Sequence, residues 1–487
     1  MVVDMEKLVN ASEPFCFDLD GTVIKTDCLI EALLKILHHQ PLLLFKLPFW
    51  LVKGRIYFKM QVFSLVKIDY TVLPQNDAVI ELLRRRREKG LSNFLITGTP
   101  GFVAKPFGEY LEYFDDVIGS SEKINLVGDK KAAFLVEQFG EKGFSYIGNS
   151  KIDCSIWDKS LRVIVVDPFP WVLKKVRKRY LDPVLLSKRN SLLRSMILSM
   201  RPHQWLKNIL VFVPLILSRN TGDINLLLSA LAMFLCFSLV SSSLYILNDL
   251  LDIEADRRHP ENYRRPLAAG NFPISPAVIL MPIVLSIGLF FGYVISPDFM
   301  MILSLYLILS SSYSFWLKSI ALVDILALAS LYTIRIFAGA ESFSVEISAW
   351  LATFSGFIFL SLSLLKRCSE LRILQKQGQI SNMRRGYCVE DLQMLENLGV
   401  ASGFISILVF ALYLHSPAVT LYYPNPHLLW FICPILYYWI SRMWLKAHKG
   451  EIPSDPLFFT FKDKVSYYLL FSIAILWVVA GLPDIPI

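Results

Sequence analysis

The sequence predicts two fold classes in one chain: an α/β domain of the Rossmann type, then an all-α polytopic membrane domain. Of its 487 residues 54% are hydrophobic, yet charged residues are interspersed as in a soluble protein up to about Asp182. From about Ile209 onward, apolar runs of nearly spanning length alternate with short polar connections. A soluble domain would not expose so much apolar surface, so the second part is expected to lie in a membrane.

The N-terminal part alternates between strands and helices. The runs PFCFDLDG, LSNFLITGTP, FSYIGNS and LRVIVVD each place an apolar strand directly before a polar turn. This predicts a parallel, doubly wound sheet with its chemistry at the carboxyl ends of the strands. We place the domain at residues 12–170, with an apolar and basic insert at about 29–70. The insert could be a cap over the active site, an interfacial amphipathic segment or both, and it is too broken by charge and proline to predict a span.

A basic juxtamembrane linker is expected at residues 171–194, before a membrane domain at 195–487. Its cations favour contact with anionic lipid. No interleaved aromatic pattern accompanies them, so we expect no nucleic-acid partner despite the formal net charge of +8. About nine transmembrane helices are predicted, near residues 207–218, 226–247, 274–295, 299–316, 320–339, 348–366, 397–415, 427–445 and 467–484.

The loops between these predicted spans fall into two classes. Those at 248–272, 316–319, 366–396 and 446–466 are rich in arginine and lysine, whereas the alternate loops carry almost none. By the positive-inside rule the basic loops are cytoplasmic, on the same side as the N-terminal domain.

Three carboxylates recur along the predicted helix NDLLDIEAD, at Asp249, Asp252 and Asp256. Spacing of i, i+3 and i+7 stacks them on one face, where they repel each other unless a cation lies among them. Oxygen-only ligands favour Mg²⁺, which takes substrate phosphate oxygens as further ligands. The alternative is a solvated helix end with capping acids. Arg264 and Arg265 could grip phosphate oxygens bidentately or could simply anchor the loop on the cytoplasmic side.

This motif resembles the first motif of the UbiA superfamily of intramembrane prenyltransferases, NDxxDxxxD followed by an RPLA-type turn. The resemblance covers about residues 195–487 and implies a Mg²⁺-dependent transferase that acts on a pyrophosphate substrate. The runs RPHQWLKN, YSFWLK and KRCSEL resemble the decaprenyl-phosphate phosphoribosyltransferase branch better than the quinone or haem branches. Those branches usually carry a second motif with more carboxylates, where this chain has only Asp324.

The branch resemblance implies transfer of phosphoribose from phosphoribosyl pyrophosphate to polyprenyl (decaprenyl) phosphate in a bacterial inner (plasma) membrane. The alternative within the superfamily is transfer of a prenyl group from prenyl diphosphate to an aromatic or quinone precursor. For Lys318, Lys366 and Arg367, snorkelling helix-end anchors are an equally good interpretation. The predicted substrate-binding residues are Lys207, Asn208, Asn248, Arg264, Arg265, Lys318, Asp324, Arg335, Lys366 and Arg367.

A second acidic motif, Asp18 and Asp20 in FDLDGT, follows the first predicted strand. Two acids two residues apart in such a turn can face one site, one as a nucleophile towards phosphorus and the other as acid and base. With Thr97, Lys131 and Asp153 further along the chain, the order resembles the haloacid dehalogenase (HAD) superfamily across about residues 12–170.

The HAD resemblance implies roles for these residues. Asp18 would be the nucleophile, Asp20 the acid and base, Thr97 and Lys131 the phosphate clamps, and Asp18, Asp20 and Asp153 the ligands of Mg²⁺. Asn149 stands where many relatives have a second acid, so a degenerate, regulatory or scaffolding domain is the alternative. The expected activity is a phosphatase that removes the terminal phosphate from the phosphoribosyl lipid.

Overall fold

The computed structural model describes residues 5–217, 223–342, 348–376, 381–382, 386–417, 419, 423–452 and 455–482. The chain forms two compact units. The first comprises Met1–Met200 and Tyr245–Pro282, and the second comprises Arg201–Leu244 and Ile283–Ile487. Part of the membrane half of the sequence therefore belongs to the same unit as the N-terminal domain.

A six-stranded, wholly parallel sheet organises the first unit, in the order β3-β2-β1-β4-β5-β6. Its strands are β1 (Phe15–Phe17), β2 (Asn93–Pro100), β3 (Asp116–Ser120), β4 (Ser145–Gly148), β5 (Val163–Val166) and β6 (Val184–Ser187). The chain runs outward from β1 to β3 and then returns to the other side of β1 at β4. This reversal is where doubly wound sheets bind ligands. The predicted Rossmann-type class, a doubly wound parallel sheet, is confirmed.

Helices cover both faces of this sheet. They are α1 (Met5–Val9), α2 (Cys28–His39), α3 (Leu47–Val52), α4 (Arg55–Leu65), α5 (Asp77–Glu88), α6 (Gly101–Leu111), α7 (Asp129–Phe139), α8 (Cys154–Trp157) and α9 (Pro170–Arg179). Helix α10 (Leu192–Ser199) follows β6. The side chains of β1 alternate between two apolar clusters, with Phe15 and Phe17 in one and Cys16 in the other. A strand buried on both faces reads as a continuous apolar run, which is why β1 stood out in the sequence.

Residues 171–194, which we expected to be a basic linker, contain two elements of this domain. Helix α9 buries Val172 and Val176 and exposes four of its five cations, and β6 pairs with β5. The sheet therefore extends to Ser187. The insert at 29–70 is helical, formed by α2, a 3-10 helix at Pro41–Lys46, α3 and α4.

The part of the membrane sequence that belongs to the first unit packs against α2. It contains the end of α12 (Ile224–Leu251), α13 (Ile253–Arg258) and the start of α14 (Ile274–Ile295). Leu34 of α2 is buried together with Ile246, Leu250, Ile274 and Ala277, and partly buried residues of α10 join them. We call this group the juxtamembrane cluster.

The second unit is helical. Its helices include α11 (Val213–Leu217), α15 (Pro297–Phe315), α16 (Val323–Ser342), α17 (Ala349–Lys376), α18 (Leu392–Leu414), α19 (Ile432–His448), α20 (Pro456–Thr460) and α21 (Lys464–Ala480), besides parts of α12 and α14. A short hairpin pairs Ser381–Asn382 with Tyr387–Cys388. The largest apolar cluster of this unit lies among α16, α17, α18 and α19.

Seven helices in the described ranges are long and apolar enough to span a membrane, not the nine that we predicted. The predicted span 207–218 forms a 3-10 helix, Pro202–Phe212, followed by the short α11; residue 218 lies outside the described residues. Pro214 stands in the first turn of α11, where proline is tolerated, so the helix restarts there. The predicted span 467–484 corresponds to α21, an apolar helix of only 17 residues, and residues 483–484 lie outside the description. The chain is a multi-pass membrane protein.

Candidate functional site

The acidic motif of the α/β domain lies at the carboxyl ends of three adjacent parallel strands. Phe17, the last residue of β1, is in register with Leu95 of β2 and with Ile147 of β4. Asp18 therefore follows β1 at the same edge of the sheet where Thr97 lies on β2 and where Gly148 ends β4. The sheet topology thus brings the predicted HAD residues to one edge.

Asp18 forms an ion pair with Lys131, the third residue of α7. The Lys131 Nζ lies 2.9 Å from the Asp18 Oδ1 and is buried. The same ammonium donates to the Ile96 carbonyl and to the Tyr146 hydroxyl, both at 3.0 Å. All three donors of the ammonium group are thereby used, which fixes its position beside the predicted nucleophile.

Asp20 is held as a candidate acid. Its Oδ1 accepts the backbone N–H of Cys28 at 2.8 Å, and its Oδ2 accepts the hydroxyl of Thr99 at 2.7 Å. Burial raises the pKa of Asp20, and the nearby Asp18 carboxylate adds to the shift, whereas the two hydrogen bonds oppose it. A raised pKa favours the protonated form of a carboxyl group, which can donate its proton to a leaving oxygen.

Thr97, a predicted phosphate clamp, is buried, and its Oγ1 accepts the N–H of Thr99 at 3.1 Å.

Asp153 is fixed by the turn after β4. Its Oδ2 accepts the N–H groups of Asn149 (3.1 Å) and Ser150 (2.8 Å) and the Ser150 hydroxyl (2.9 Å). Burial, assisted by Asp18, raises the pKa of Asp153 to about 6.

Asn149 lies against the turn that carries the two acids. A Cβ placed on Gly21 would lie 2.0 Å from the Asn149 Nδ2, and Gly21 has a φ of +72°. Only glycine avoids both the overlap and the strain at this position. The amide of Asn149 therefore packs directly over the FDLDGT turn.

The helical insert contributes a cation that sequence reasoning missed. The Lys59 Nζ, on α4, donates to the Gly98 carbonyl at 2.7 Å and lies 3.5 Å from the Asn125 Oδ1. Burial lowers the pKa of Lys59, while the nearby Asp20 and Asp27 carboxylates oppose the shift. Periodicity could not place Lys59 here, because only the path of the insert over the strand ends brings it to the site.

The acidic motif of the membrane sequence lies in the first unit. α12 ends at Leu251 and α13 begins at Ile253, yet helical hydrogen bonds continue from the Asp252 N–H to the Asn248 carbonyl and from the Asp256 N–H to the Asp252 carbonyl, both at 2.9 Å. The expected helical spacing of the three aspartates is therefore kept. Asn248 itself is half-buried on the last turn of α12.

Arg265 bridges two of these aspartates. Its Nη1 lies 2.5 Å from the Asp256 Oδ2 and 3.3 Å from the Asp249 Oδ1, and both carboxylates are buried. Asn262 donates to the other oxygen of Asp256 at 3.0 Å. Arg264, in contrast, is exposed and donates to the hydroxyl of its neighbour Tyr263 at 2.9 Å. Of the two predicted arginines, only Arg265 is brought to the acids.

Across the described residues, no three His, Cys, Asp or Glu side chains are grouped so as to hold a metal ion. In both acidic motifs a basic side chain accompanies the carboxylates instead, Lys131 at Asp18 and Arg265 at Asp249 and Asp256. Both motifs thus bring carboxylate oxygens, the ligands that Mg²⁺ prefers, next to a basic side chain.

Among the residues predicted to bind substrate, Asn208 and Arg335 meet inside the second unit. The Arg335 Nε donates to the Asn208 Oδ1 at 2.8 Å, and its Nη2 donates to the Tyr306 hydroxyl at 3.1 Å. Ser238 binds the Asn208 amide at 3.0 Å. Both Asn208 and Arg335 are buried, and the Arg335 guanidinium also lies over the rings of Phe237, Tyr306 and Tyr332.

Lys207 forms an ion pair with Asp455, at the start of α20, with 2.5 Å between Nζ and Oδ2. Burial would raise the pKa of Asp455, but Lys207 and Lys366 outweigh it and lower that pKa to about 2. Lys318 lies half-buried on the 3-10 turn Leu317–Ser319. Lys207 and Lys366 thus act on one carboxylate that the sequence did not single out.

Asp324 and Arg367 bind each other. The Arg367 Nε lies 2.5 Å from the Asp324 Oδ2, and the Tyr387 hydroxyl donates to the Asp324 Oδ1 at 2.5 Å. Arg367 also donates to Glu370 at 2.6 Å and to the Tyr313 hydroxyl at 2.8 Å. This arrangement favours a role in joining α16 to α17, alongside the predicted role in substrate binding.

The UbiA prenyltransferase family matches residues 209–462, more than half of the chain. The chain belongs to the UbiA prenyltransferase family. It is a membrane transferase of this family, joined to an α/β domain with a parallel sheet.

Three relatives of this UbiA-family protein are similar to it over different shares of the chain. The uncharacterised protein y4nM of Sinorhizobium fredii is 34% identical over 471 residues, which are 96% of this chain and 91% of that protein. The nodulation protein NoeC of Azorhizobium caulinodans is 30% identical over 280 residues, 56% of this chain and 89% of NoeC. A decaprenyl-phosphate phosphoribosyltransferase of Mycobacterium tuberculosis is 32% identical over 201 residues, 40% of this chain and 67% of that enzyme.

Proposed function

We propose that the membrane domain transfers phosphoribose from phosphoribosyl pyrophosphate to a polyprenyl phosphate such as decaprenyl phosphate. The α/β domain would then remove the terminal phosphate from the phosphoribosyl lipid. The observation that carries the first step is the similarity to a decaprenyl-phosphate phosphoribosyltransferase, 32% over 201 residues. The second step rests on the Asp18, Asp20 and Lys131 geometry.

In the proposed transfer, a phosphate oxygen of the acceptor lipid attacks the anomeric carbon of the ribose. The bond from that carbon to the pyrophosphate oxygen breaks, and pyrophosphate leaves with the electron pair. The acceptor is already an anion, so no general base is required. Asp249, Asp252 and Asp256 would hold Mg²⁺, which when bound supplies charge neutralisation to the departing pyrophosphate. Arg265 would turn from the two carboxylates towards a phosphate oxygen.

The contacts of Arg335 support the proposal that the membrane domain binds an anionic substrate. In the described part of the chain its contacts are neutral: the Asn208 amide, the Tyr306 hydroxyl, the Leu331 carbonyl and aromatic rings. A buried guanidinium without a carboxylate partner is costly among membrane helices and marks a functional site. We assign it to a phosphate group of the donor or the acceptor.

In the proposed phosphatase step, the Asp18 carboxylate attacks the phosphorus of the terminal phosphate. The ester bond breaks, and Asp20 gives its proton to the departing ribose oxygen. Water then attacks the aspartyl phosphate, Asp20 takes the proton of that water, and inorganic phosphate is released. Lys131 and Lys59 would balance the charge of the phosphoryl oxygens, and Asp18 and Asp153 would hold the Mg²⁺.

The test uses membranes that contain the full chain, ribose-labelled phosphoribosyl pyrophosphate and decaprenyl phosphate. A lipid-linked labelled pentose is expected; its absence contradicts the proposal. The Asp249→Asn variant should make no labelled lipid, whereas Asp18→Asn should accumulate the phosphorylated lipid. An unchanged product from Asp18→Asn would refute the coupling of the two steps.

The description of the family as prenyltransferases favours a second candidate, transfer of a prenyl group from prenyl diphosphate to an aromatic or quinone precursor. Both reactions release pyrophosphate, so pyrophosphate release does not distinguish them. Prenylation of an aromatic acceptor, with no labelled pentose in the lipid, would establish the second candidate instead.

A further inference from the structure

The helical insert of the α/β domain exposes a patch of large apolar side chains. Leu42, Phe45, Phe49 and Val52, all within the segment Pro41–Val52, are between 73% and 89% exposed. Leu51 is exposed beside them. Contiguous exposed apolar residues of this size mark an interaction surface in a soluble domain.

The other side of the same segment packs onto the domain. Leu43, Leu44, Leu47 and Trp50 are partly buried against the core that contains Phe15 and Phe17 of β1. The segment is therefore folded and fixed to the domain, and it is apolar on both sides. Its outward side has the composition of a lipid-facing surface.

Helix α2, which leads directly into this segment, places it next to the membrane. Leu34 lies in the juxtamembrane cluster with Ile246 and Leu250 of α12 and Ile274 of α14. Both α12 and α14 are long and apolar enough to span a membrane. α2 ends at His39, two residues before Pro41, so the exposed patch begins close to the ends of two membrane-spanning helices.

Ion pairs hold α2 in this place. Arg257 of α13 binds Glu31 through two hydrogen bonds of 2.6 and 3.1 Å. Lys35 lies 2.7 Å from Glu254. These pairs join the insert to the segment that carries Asp252 and Asp256, so the patch is fixed relative to the membrane-spanning helix ends of this unit.

The patch also has cations suited to lipid headgroups. Lys46, Lys53 and Arg55 are exposed within or beside the segment. Aromatic and aliphatic residues flanked by lysine and arginine are typical of segments that lie in the interface of an anionic membrane.

The same insert reaches the candidate phosphatase site. α4 follows α3 after two residues, and its Lys59 contacts the Gly98 carbonyl beside Thr97. One short insert therefore carries both a surface suited to lipid and a cation at the acidic site.

We propose that Pro41–Val52 inserts into the leaflet that faces the α/β domain and brings its acidic site to a phosphate monoester carried by a membrane-embedded lipid. The substrate class is thus a lipid-linked phosphate, not a soluble one. The insertion rests on the surface and its position; the substrate class rests on the proposed phosphatase function.

The insertion is tested by spin labels on the full chain in vesicles of phosphatidylcholine and phosphatidylglycerol. Cys388 and Cys433, the cysteines that are not buried, are replaced by serine, and labels are placed at Phe45→Cys, Phe49→Cys and, as a control, at the fully exposed Leu181→Cys. Labels at 45 and 49 should be more accessible to oxygen in the lipid than to aqueous nickel chelate, and the label at 181 should show the reverse. Aqueous accessibility at 45 and 49 would overturn the proposal.

The substrate class is tested with the Phe45→Glu, Phe49→Glu double variant and the Leu181→Glu control. The double variant should show a KM about tenfold higher for a polyprenyl-linked phosphoribose in vesicles, since two charges disfavour the interfacial position. Its hydrolysis of p-nitrophenyl phosphate should stay within about twofold of the parent, which checks that the domain is folded. An equal loss on both substrates, or no loss on either, would refute the lipid preference.

These two tests separate the two claims. If the parent protein hydrolyses no phosphate at all, the proposed phosphatase function fails, while the spin labels still decide whether the segment lies in lipid.

Discussion

Two arginine–carboxylate groups in this protein have the same chemistry and different surroundings. Arg265 bridges Asp249 and Asp256 with a side chain that is 28% exposed. Arg367 binds Asp324, and their side chains are only 1% and 0% exposed. The Arg367–Asp324 pair is therefore inaccessible to solvent and ligands, whereas a cation or a phosphate can approach Arg265 and its two carboxylates.

The hydrogen bonds explain this difference. Arg367 has the carboxylates of Asp324 and Glu370 and the hydroxyl of Tyr313, and Tyr387 occupies the second oxygen of Asp324. Arg265 uses one nitrogen for both of its carboxylates. We therefore expect the Arg265 group to act in the reaction and the Arg367 group to act in stability.

The largest effect is expected from Asp249→Asn. Loss of one ligand of the proposed Mg²⁺ should reduce transferase activity roughly a thousandfold, about 4 kcal/mol in the barrier. The measurement is the rate of lipid labelling per folded molecule in membranes. The exposed Asp298→Asn is the control and should retain activity within about twofold. A comparable rate in both variants would contradict the assignment.

Asp324→Asn should instead destabilise the protein by about 3 kcal/mol, because it leaves the Arg367 guanidinium buried without its partner. The free energy of unfolding in mixed micelles measures this. Activity per folded molecule should change little, and the double variant Asp324→Asn, Arg367→Met should recover part of the stability. A stable but inactive Asp324→Asn protein would move Asp324 into the substrate site.

A third pair, Arg257 with Glu31, lies between the two in surroundings, with side chains 5% and 7% exposed. Glu31→Gln removes a charged hydrogen-bond partner and should cost about 2 kcal/mol. Hydrogen exchange of α2 should accelerate accordingly. Asp69→Asn is the matched control, because its pair with Arg258 is 34% and 56% exposed and should contribute roughly 0.5 kcal/mol or less. Equal acceleration in both variants would show that burial of the pair does not matter.

The smallest effect is expected from Arg265→Gln on the Mg²⁺ requirement. Since Arg265 would compete with the proposed Mg²⁺ for Asp249 and Asp256, its removal should lower the Mg²⁺ concentration for half-maximal activity about fivefold, roughly 1 kcal/mol. A Mg²⁺ titration of transferase activity measures this. Arg367→Gln should leave that concentration unchanged, and a similar shift in both variants would refute the competition.

The sequence predicted those parts of the fold that repeat or end in a recognisable way. β1 is a continuous apolar run followed by Asp18 and Asp20, and parallel strand order then placed Thr97 and Lys131 at the same edge. Helical spacing placed the membrane aspartates on one face. Hydropathy failed at residues 207–218 because it counts apolar residues and does not register the restart at Pro214.

Contacts between distant segments were beyond prediction. Glu31 and Arg257 are 226 residues apart, and neither periodicity nor a local motif indicates that they meet. The position of Lys59 at the acidic site could not be predicted for the same reason, because the path of an irregular insert sets it. At 171–194, the many cations of α9 suggested a solvated linker, so the buried face with Val172 and Val176 was not recognised. Strand β6 is only four residues long, which is too short to be predicted from its pattern.

The juxtamembrane cluster limits where the chain could be divided into two proteins. Leu34 is buried against Ile246 and Leu250, and Leu192 and Met196 pack there too. A gene split anywhere between α10 and α12 would yield two products, each with a water-exposed apolar face that the other had covered. Polar substitutions on both products would be needed to keep these faces soluble in water.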